Sequence, residues 1–112
     1  MSTAVAARLK AIKDRGHIKS REIAHLLDTT PETVSRWNTG RREPQSEHLK
    51  KLLALEWLLD RLGELYSPED ARLWLYTPHR LLGGKCPADQ IQESKTSEVL
   101  AIVAQVIDGA FV

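Results

Sequence analysis

The sequence predicts an all-α fold. Leu and Ala dominate over β-branched residues within a hydrophobic fraction of 42%, and that balance favours helices. Helix-start signals recur along the chain, and no segment alternates apolar and polar residues as a half-buried strand does. At 112 residues the chain is one domain or two very small ones.

Residues 3–15 place Val5, Leu9 and Ile12 at helical spacing, and Gly16 is expected to end that helix. Ser20 is read as the N-cap of a second helix carrying Ile23, Ala24, Leu26 and Leu27. Asp28-Thr29 forms the turn. Thr30-Pro31-Glu32 then starts a third helix with a capping hydroxyl, a proline at the first helical position and an acid in the first turn. Gly40 stops it, and Glu43-Pro44 requires an extended exit. The longest helix spans 46–66, with Ser46 as its N-cap. Ser67-Pro68-Glu69-Asp70 opens the next helix, Thr77-Pro78 a shorter one, and Pro87-Ala88-Asp89 a single turn ending near Gln92. A final helix over 96–107 puts Val99, Val103, Val106 and Ile107 on one stripe with Leu100 beside it.

The 46–66 helix holds more apolar residues than one stripe needs. Leu52, Leu55, Leu59 and Leu62 line one face, and Leu49, Leu53 and Trp57 line another. Two readings fit this pattern. The helix either bridges two cores or builds a dimer, or it is the central helix of one bundle.

Residues 20–44 read as a helix-turn-helix, a motif that offers its second helix to the DNA major groove. Ala24 is small where the two helices cross. Val34 and Trp37 lie three apart and anchor the third helix inward, which leaves Glu32, Thr33, Ser35 and Arg36 outward. Pro31 and Glu32 stand at the helix N-terminus, the end that meets base edges. Arg36 is suited to a guanine through two groove-side acceptors, and Glu32 to a cytosine amino group. Ser20 and Thr30 sit at helix N-termini that attract phosphate, and Arg41 and Arg42 are suited to backbone contacts. Charge follows the same division. Residues 1–56 carry a balance of +4 and residues 57–112 a balance of −3, so the half with the motif is the basic one. The alternative is a helical hairpin that has lost DNA binding.

At Ala24, Leu27, the Thr-Pro-Glu-Thr run, Val34, Ser35-Arg36-Trp37, Asn38-Thr39-Gly40 and Pro44, this stretch resembles the Xre/Cro-type repressors. It departs at Asp28, where those repressors usually carry Gly. Asp tolerates the left-handed backbone better than most residues.

The last forty or so residues resemble the C-terminal domain of the MbcA/ParS/Xre antitoxins. The features are Trp74-Leu75, Thr77-Pro78 with a polar residue following, the Leu-Gly-Gly-Lys-Cys-Pro loop at 82–87, and a terminal helix ending in Gly109. The resemblance implies a partner, a toxin of the RES family that destroys NAD. It also implies repression of the shared operon through operator DNA. The two-faced 46–66 helix and the modest basic excess suggest a homodimer or a higher hetero-oligomer with toxin. In that family the antitoxin's C-terminal end lies at the toxin's active-site mouth. Carried onto this chain, the toxin-binding residues are Gly109, Ala110, Phe111 and Val112, with Arg80 and Lys85 at the interface. Phe111, the single Phe, either tucks back onto its own domain or plugs a partner's cavity.

The expected organisation is a helix-turn-helix domain over 1–45, a connecting or dimerising helix over 46–66, and a toxin-binding domain over 67–112. The competing reading is a stand-alone repressor whose C-terminal part only dimerises. An enzyme is not expected. There is no phosphate-binding Gly loop and no nucleophile with a base, and Glu69-Asp70 are adjacent and serve the helix dipole. No catalytic residue, cofactor or metal site is expected. The four histidines are scattered, and His79 reads as part of a solvated helix start. The lone Cys86 reads as a loop or cap residue and fits a reducing cytoplasm. No apolar run is long enough to span a membrane, and the N-terminus lacks the apolar core of a signal peptide.

Overall fold

The computed structural model describes residues 4–109, with side chains to residue 105. Among them are seven α-helices: α1 (Ala4–Gly16), α2 (Ser20–Leu26), α3 (Pro31–Thr39), α4 (Ser46–Leu62), α5 (Pro68–Leu75), α6 (Pro87–Gln92) and α7 (Thr96–Gly109). One 3₁₀ turn, Arg80–Leu82, lies between α5 and α6. No described residue is in a strand.

Two helix starts follow from the residues in front of them. The Thr30 hydroxyl accepts from the Thr33 N–H at 3.2 Å, and the Ser67 hydroxyl accepts from the Asp70 N–H at 3.2 Å. Each cap precedes a proline at the first helical position, where its missing N–H loses no bond. Such a cap contributes about 1 kcal/mol. Gly40, at φ 80°, closes α3 in the left-handed region.

Four local expectations are corrected. Ser20 and Ser46 are first helical residues, and the caps are Lys19 and Gln45. At α2 the Glu22 carboxylate reaches back to the Lys19 N–H at 3.0 Å, so no serine hydroxyl is needed there. Gly16 does not stop α1 from outside. It is the last residue of the helix, and the left-handed turn falls on His17 at φ 50°. The glycine leaves room for its neighbours: a Cβ there would meet Ile18 Cδ1 and Leu59 Cδ2 at 2.9 Å, and these buried side chains would have to shift. Thr77-Pro78 opens only the 3₁₀ turn, since Gly83 and Gly84 at φ 68° and 85° end it at once.

Helix α4 is the centre of the bundle. Leu52, Leu55, Leu58, Leu59 and Leu62 are fully buried. Both α1 and α7 pack against α4. The same core continues through Leu9, Ile12, Ile23, Leu26, Val34 and Trp37 of the first three helices and through Leu75, Ile91, Val99 and Val103 of the last three. Within the chain, α4 is therefore the central helix of one bundle. Of its second apolar face, Leu49 packs against the core, whereas Leu53 and Trp57 are exposed, with the Arg61 guanidinium 5.8 Å from the Trp57 ring. α7 extends two residues past the expected end, and Ile102 joins its buried stripe.

Polar ties cross from the first helices to the second half. Arg72 on α5 donates to both Glu22 carboxylate oxygens, at 2.8 and 2.5 Å, and to the His17 carbonyl at 2.9 Å. Its guanidinium also lies 5.0 Å from the Tyr76 ring, whose hydroxyl is pushed up to about 12 by burial. Arg8 pairs with Glu56, Arg15 with Asp60 at 3.1 Å, and His17 with Glu69 at 3.3 Å.

The hydrogen bonds from Arg72 hold the Glu22 carboxyl below its ordinary range. Its stabilisation is therefore complete above the unfolded carboxyl value and is lost as pH falls through the lower folded value. Replacing Glu22 by Gln should cost about 1 kcal/mol at neutral pH. Its Tm should also fall less than that of the unaltered chain between about pH 5 and pH 3. Parallel declines in thermal melts across that range would rule out the contribution.

Candidate functional site

The residues read as a helix-turn-helix lie on α2, α3 and the turn between them. Ile23, Ala24, Leu26 and Leu27 are buried on the α2 side, and Val34 and Trp37 are 2% exposed on α3. The Trp37 ring packs 5.4 Å from His48 of α4, so the inner face of α3 is fixed from two directions. This orientation leaves Pro31, Glu32, Ser35 and Arg36 exposed along the outer face. Thr33 is half-buried, and its hydroxyl lies 3.0 Å from that of Thr30.

The basic loop folds back onto the end of α3. The Arg36 carbonyl accepts from Arg41 N–H at 2.9 Å, Arg42 N–H at 3.3 Å and the Thr39 hydroxyl at 3.2 Å. Arg36, Arg41 and Arg42 are thereby gathered at one end of the helix, all exposed. Among the described residues none of the three is in an ion pair, whereas Arg8, Arg15, Arg61 and Arg72 all are. Uncommitted guanidiniums beside an exposed helix face suit phosphate and base-edge contact.

Asp28 carries the turn. Its φ is 56°, the left-handed conformation expected from its place between the helices. The Asp28 N–H donates to the His25 carbonyl at 3.1 Å, and the Thr29 N–H to the Ala24 carbonyl at 2.8 Å. The Asp28 carboxylate accepts from Gln92 Nε2 of α6 at 3.2 Å. Local sequence gives no sign of that partner, which lies 64 residues away.

In the second half, Arg80 and Lys85 belong to one closed loop. The His79 N–H donates to the Lys85 carbonyl, and the Gly84 N–H to the His79 carbonyl, both at 3.0 Å. Arg80 is exposed with no ion pair among the described residues, whereas Lys85 pairs with Glu93 at 3.2 Å. His79 is not a solvated helix start. It is half-buried with its ring 4.8 Å from Trp74. Gly109 ends α7. Ala110, Phe111 and Val112 lie outside the described residues. Among the described residues, the most exposed large apolar side chains are Leu73 and Leu81, at 66% and 68%.

Residues 61–110 match the antitoxin Xre/MbcA/ParS C-terminal toxin-binding domain. Over 108 residues the chain is 29% identical to the mycobacterial cidal antitoxin MbcA of Mycobacterium tuberculosis, and equally to that of Mycobacterium bovis, spanning 96% of each sequence. Over residues 61–110 the chain is thus similar to the Xre/MbcA/ParS antitoxins, and over nearly its whole length to MbcA. Its fold agrees with a chain of the crystal structure of the M. tuberculosis MbcT–MbcA toxin–antitoxin complex at a TM-score of 0.81 and 28% identity. That match covers 98% of this chain and 99% of the other.

No group of three or more His, Cys, Asp and Glu among the described residues is placed to hold a metal. Cys86 precedes α6 as its cap residue, and burial pushes its thiol up, away from thiolate reactivity. No helix among the described residues is long and apolar enough to cross a membrane.

The geometry at Asp28 sets an order among substitutions. Asp28→Asn keeps both the left-handed tolerance and an acceptor oxygen, and should change stability by less than about 0.5 kcal/mol. Asp28→Val adds β-branching at positive φ and removes the acceptor, and should cost about 2 kcal/mol. Urea denaturation of the three proteins checks this order, and equal stability of the Val variant would contradict it.

Proposed function

We propose that this antitoxin neutralises a cognate RES-family toxin that degrades NAD, and that it also binds operator DNA to repress its own operon. The match of residues 61–110 to a toxin-binding domain carries the first part. The MbcT–MbcA likeness over nearly the whole chain supports it. In this reading the terminal residues Gly109, Ala110, Phe111 and Val112 sit at the toxin's active-site mouth, with Phe111 as an apolar anchor. Arg80 and Lys85 flank the interface. Leu73 and Leu81, left in solvent within the matched domain, are surface that a partner would cover.

The DNA part rests on α3. Glu32, Thr33, Ser35 and Arg36 face the groove, with Pro31 at the leading end of the helix. Ser20 and Thr30 stand at helix N-termini near phosphate, and Arg41 and Arg42 hold the backbone. Two antitoxin copies, free or in a larger assembly with toxin, would present two such helices to paired half-sites.

Co-expression with the RES-type reading frame nearest its own tests the toxin part. A stable complex with suppressed NAD loss is expected, and deleting Phe111 and Val112 should preserve the fold while weakening rescue. Full protection by the truncated chain would remove the tail from the mechanism. A toxin that neither co-purifies nor is inhibited would leave the stand-alone repressor reading. Mobility shifts on DNA upstream of its reading frame test the second part. Arg36→Ala should reduce discrimination between sequences by about tenfold or more. Replacing Arg41 and Arg42 by Ala should weaken binding on all sequences alike and flatten its salt dependence. Shifts unchanged by Arg36→Ala would exclude groove reading.

A further inference from the structure

Gln92 ends α6, inside the matched toxin-binding domain, yet both of its polar contacts lead away from that helix. Its side-chain amide donates to Asp28 in the turn between α2 and α3. Its main-chain carbonyl accepts from Lys51 Nζ of α4 at 2.9 Å. Lys51 is only 7% exposed, so its ammonium is committed to this helix end, where the backbone dipole favours a cation. α6 also packs directly on α2.

The direction of the Gln92–Asp28 bond is fixed by chemistry. A carboxylate only accepts, so the glutamine must present its NH₂. Asp28 holds a left-handed backbone, a conformation that few L-residues other than Asn and Asp adopt. A side chain held at its carboxylate restricts how that turn can rotate, and the turn sets the direction in which α3 leaves α2. Lys51 keeps the donor itself from moving with the turn.

We propose that Gln92 is a positioning residue for DNA recognition: from the toxin-binding half, through Asp28, it fixes the turn that aims α3 at the groove. This rests on the operator-binding reading above. It adds a specific coupling, in which the C-terminal half is part of the DNA-reading apparatus without touching DNA.

Exchanging donor and acceptor in the full-length chain tests it. Gln92→Glu sets two carboxylates against each other, and Gln92→Leu removes the donor. Asp28→Asn combined with Gln92→Glu restores the bond in the opposite sense, with Asn donating. Operator-fragment affinity is read by fluorescence anisotropy, alongside thermal melting and co-purification with toxin. Each single Gln92 variant should lose about three- to tenfold in operator affinity. Melting should shift by only a few degrees, and toxin capture should be unchanged. The double variant should recover most of the lost affinity. Wild-type affinity in Gln92→Glu and Gln92→Leu would overturn the proposal while leaving operator binding intact. So would a loss that Asp28→Asn does not restore, or one matched by equal loss of toxin capture. An unaltered chain that binds no operator DNA would instead overturn the operator-binding reading, and this proposal with it.

Discussion

Helix α4 carries more apolar surface than a single neighbour can cover, and the rest of the molecule is arranged around that excess. Five of its leucines are fully buried, at roughly 1.5–3 kcal/mol for each buried side chain. Both α1 and α7 are drawn onto it. The helices that present α3 and the helices of the matched toxin-binding domain therefore close over a common core. Gly16 belongs to the same constraint. It leaves room for Leu59 beside the end of α1.

Around this core the charges divide the labour. Arg8, Arg15 and Arg72 are spent on ties between the first helices and α4 or α5. Arg36, Arg41 and Arg42 remain outward at the end of α3. The net charge of +1 hides this division, because what matters for a polyanionic ligand is which guanidiniums are uncommitted.

Local chemistry was legible wherever it is settled within a few residues. Thr30-Pro31 and Ser67-Pro68 announced their helices, Gly40 its stop, and Val34 and Trp37 the inward face of α3. The left-handed Asp28 followed from its place between the helices. Ser20 and Ser46 misled because a capping hydroxyl is only one way to satisfy free N–H groups, and Glu22 does it from inside the helix. His79 misled because its partner, Trp74, packs on it only once the 79–85 loop has closed. The apolar excess of α4 was plain from its leucines, but two readings of it stood open until neighbouring helices were in place. Contacts such as Arg72–Glu22 and Gln92–Asp28 join residues 50 and 64 positions apart. Nothing in the local pattern marks them, since each side chain alone reads as an ordinary surface group.

The shared core also bears on turnover. Every connection between consecutive helical elements among the described residues is six residues or shorter, and several are stitched by main-chain bonds. A protease needs a stretch of extended, accessible backbone, and such stretches are scarce here. Within the described residues, cleavage by a protease that needs extended backbone would then follow opening of the bundle, at a rate set by its stability. One core joins the helices of both halves, so they open together. Under the proposed function, loss of toxin control and release of the operator would fall in the same event.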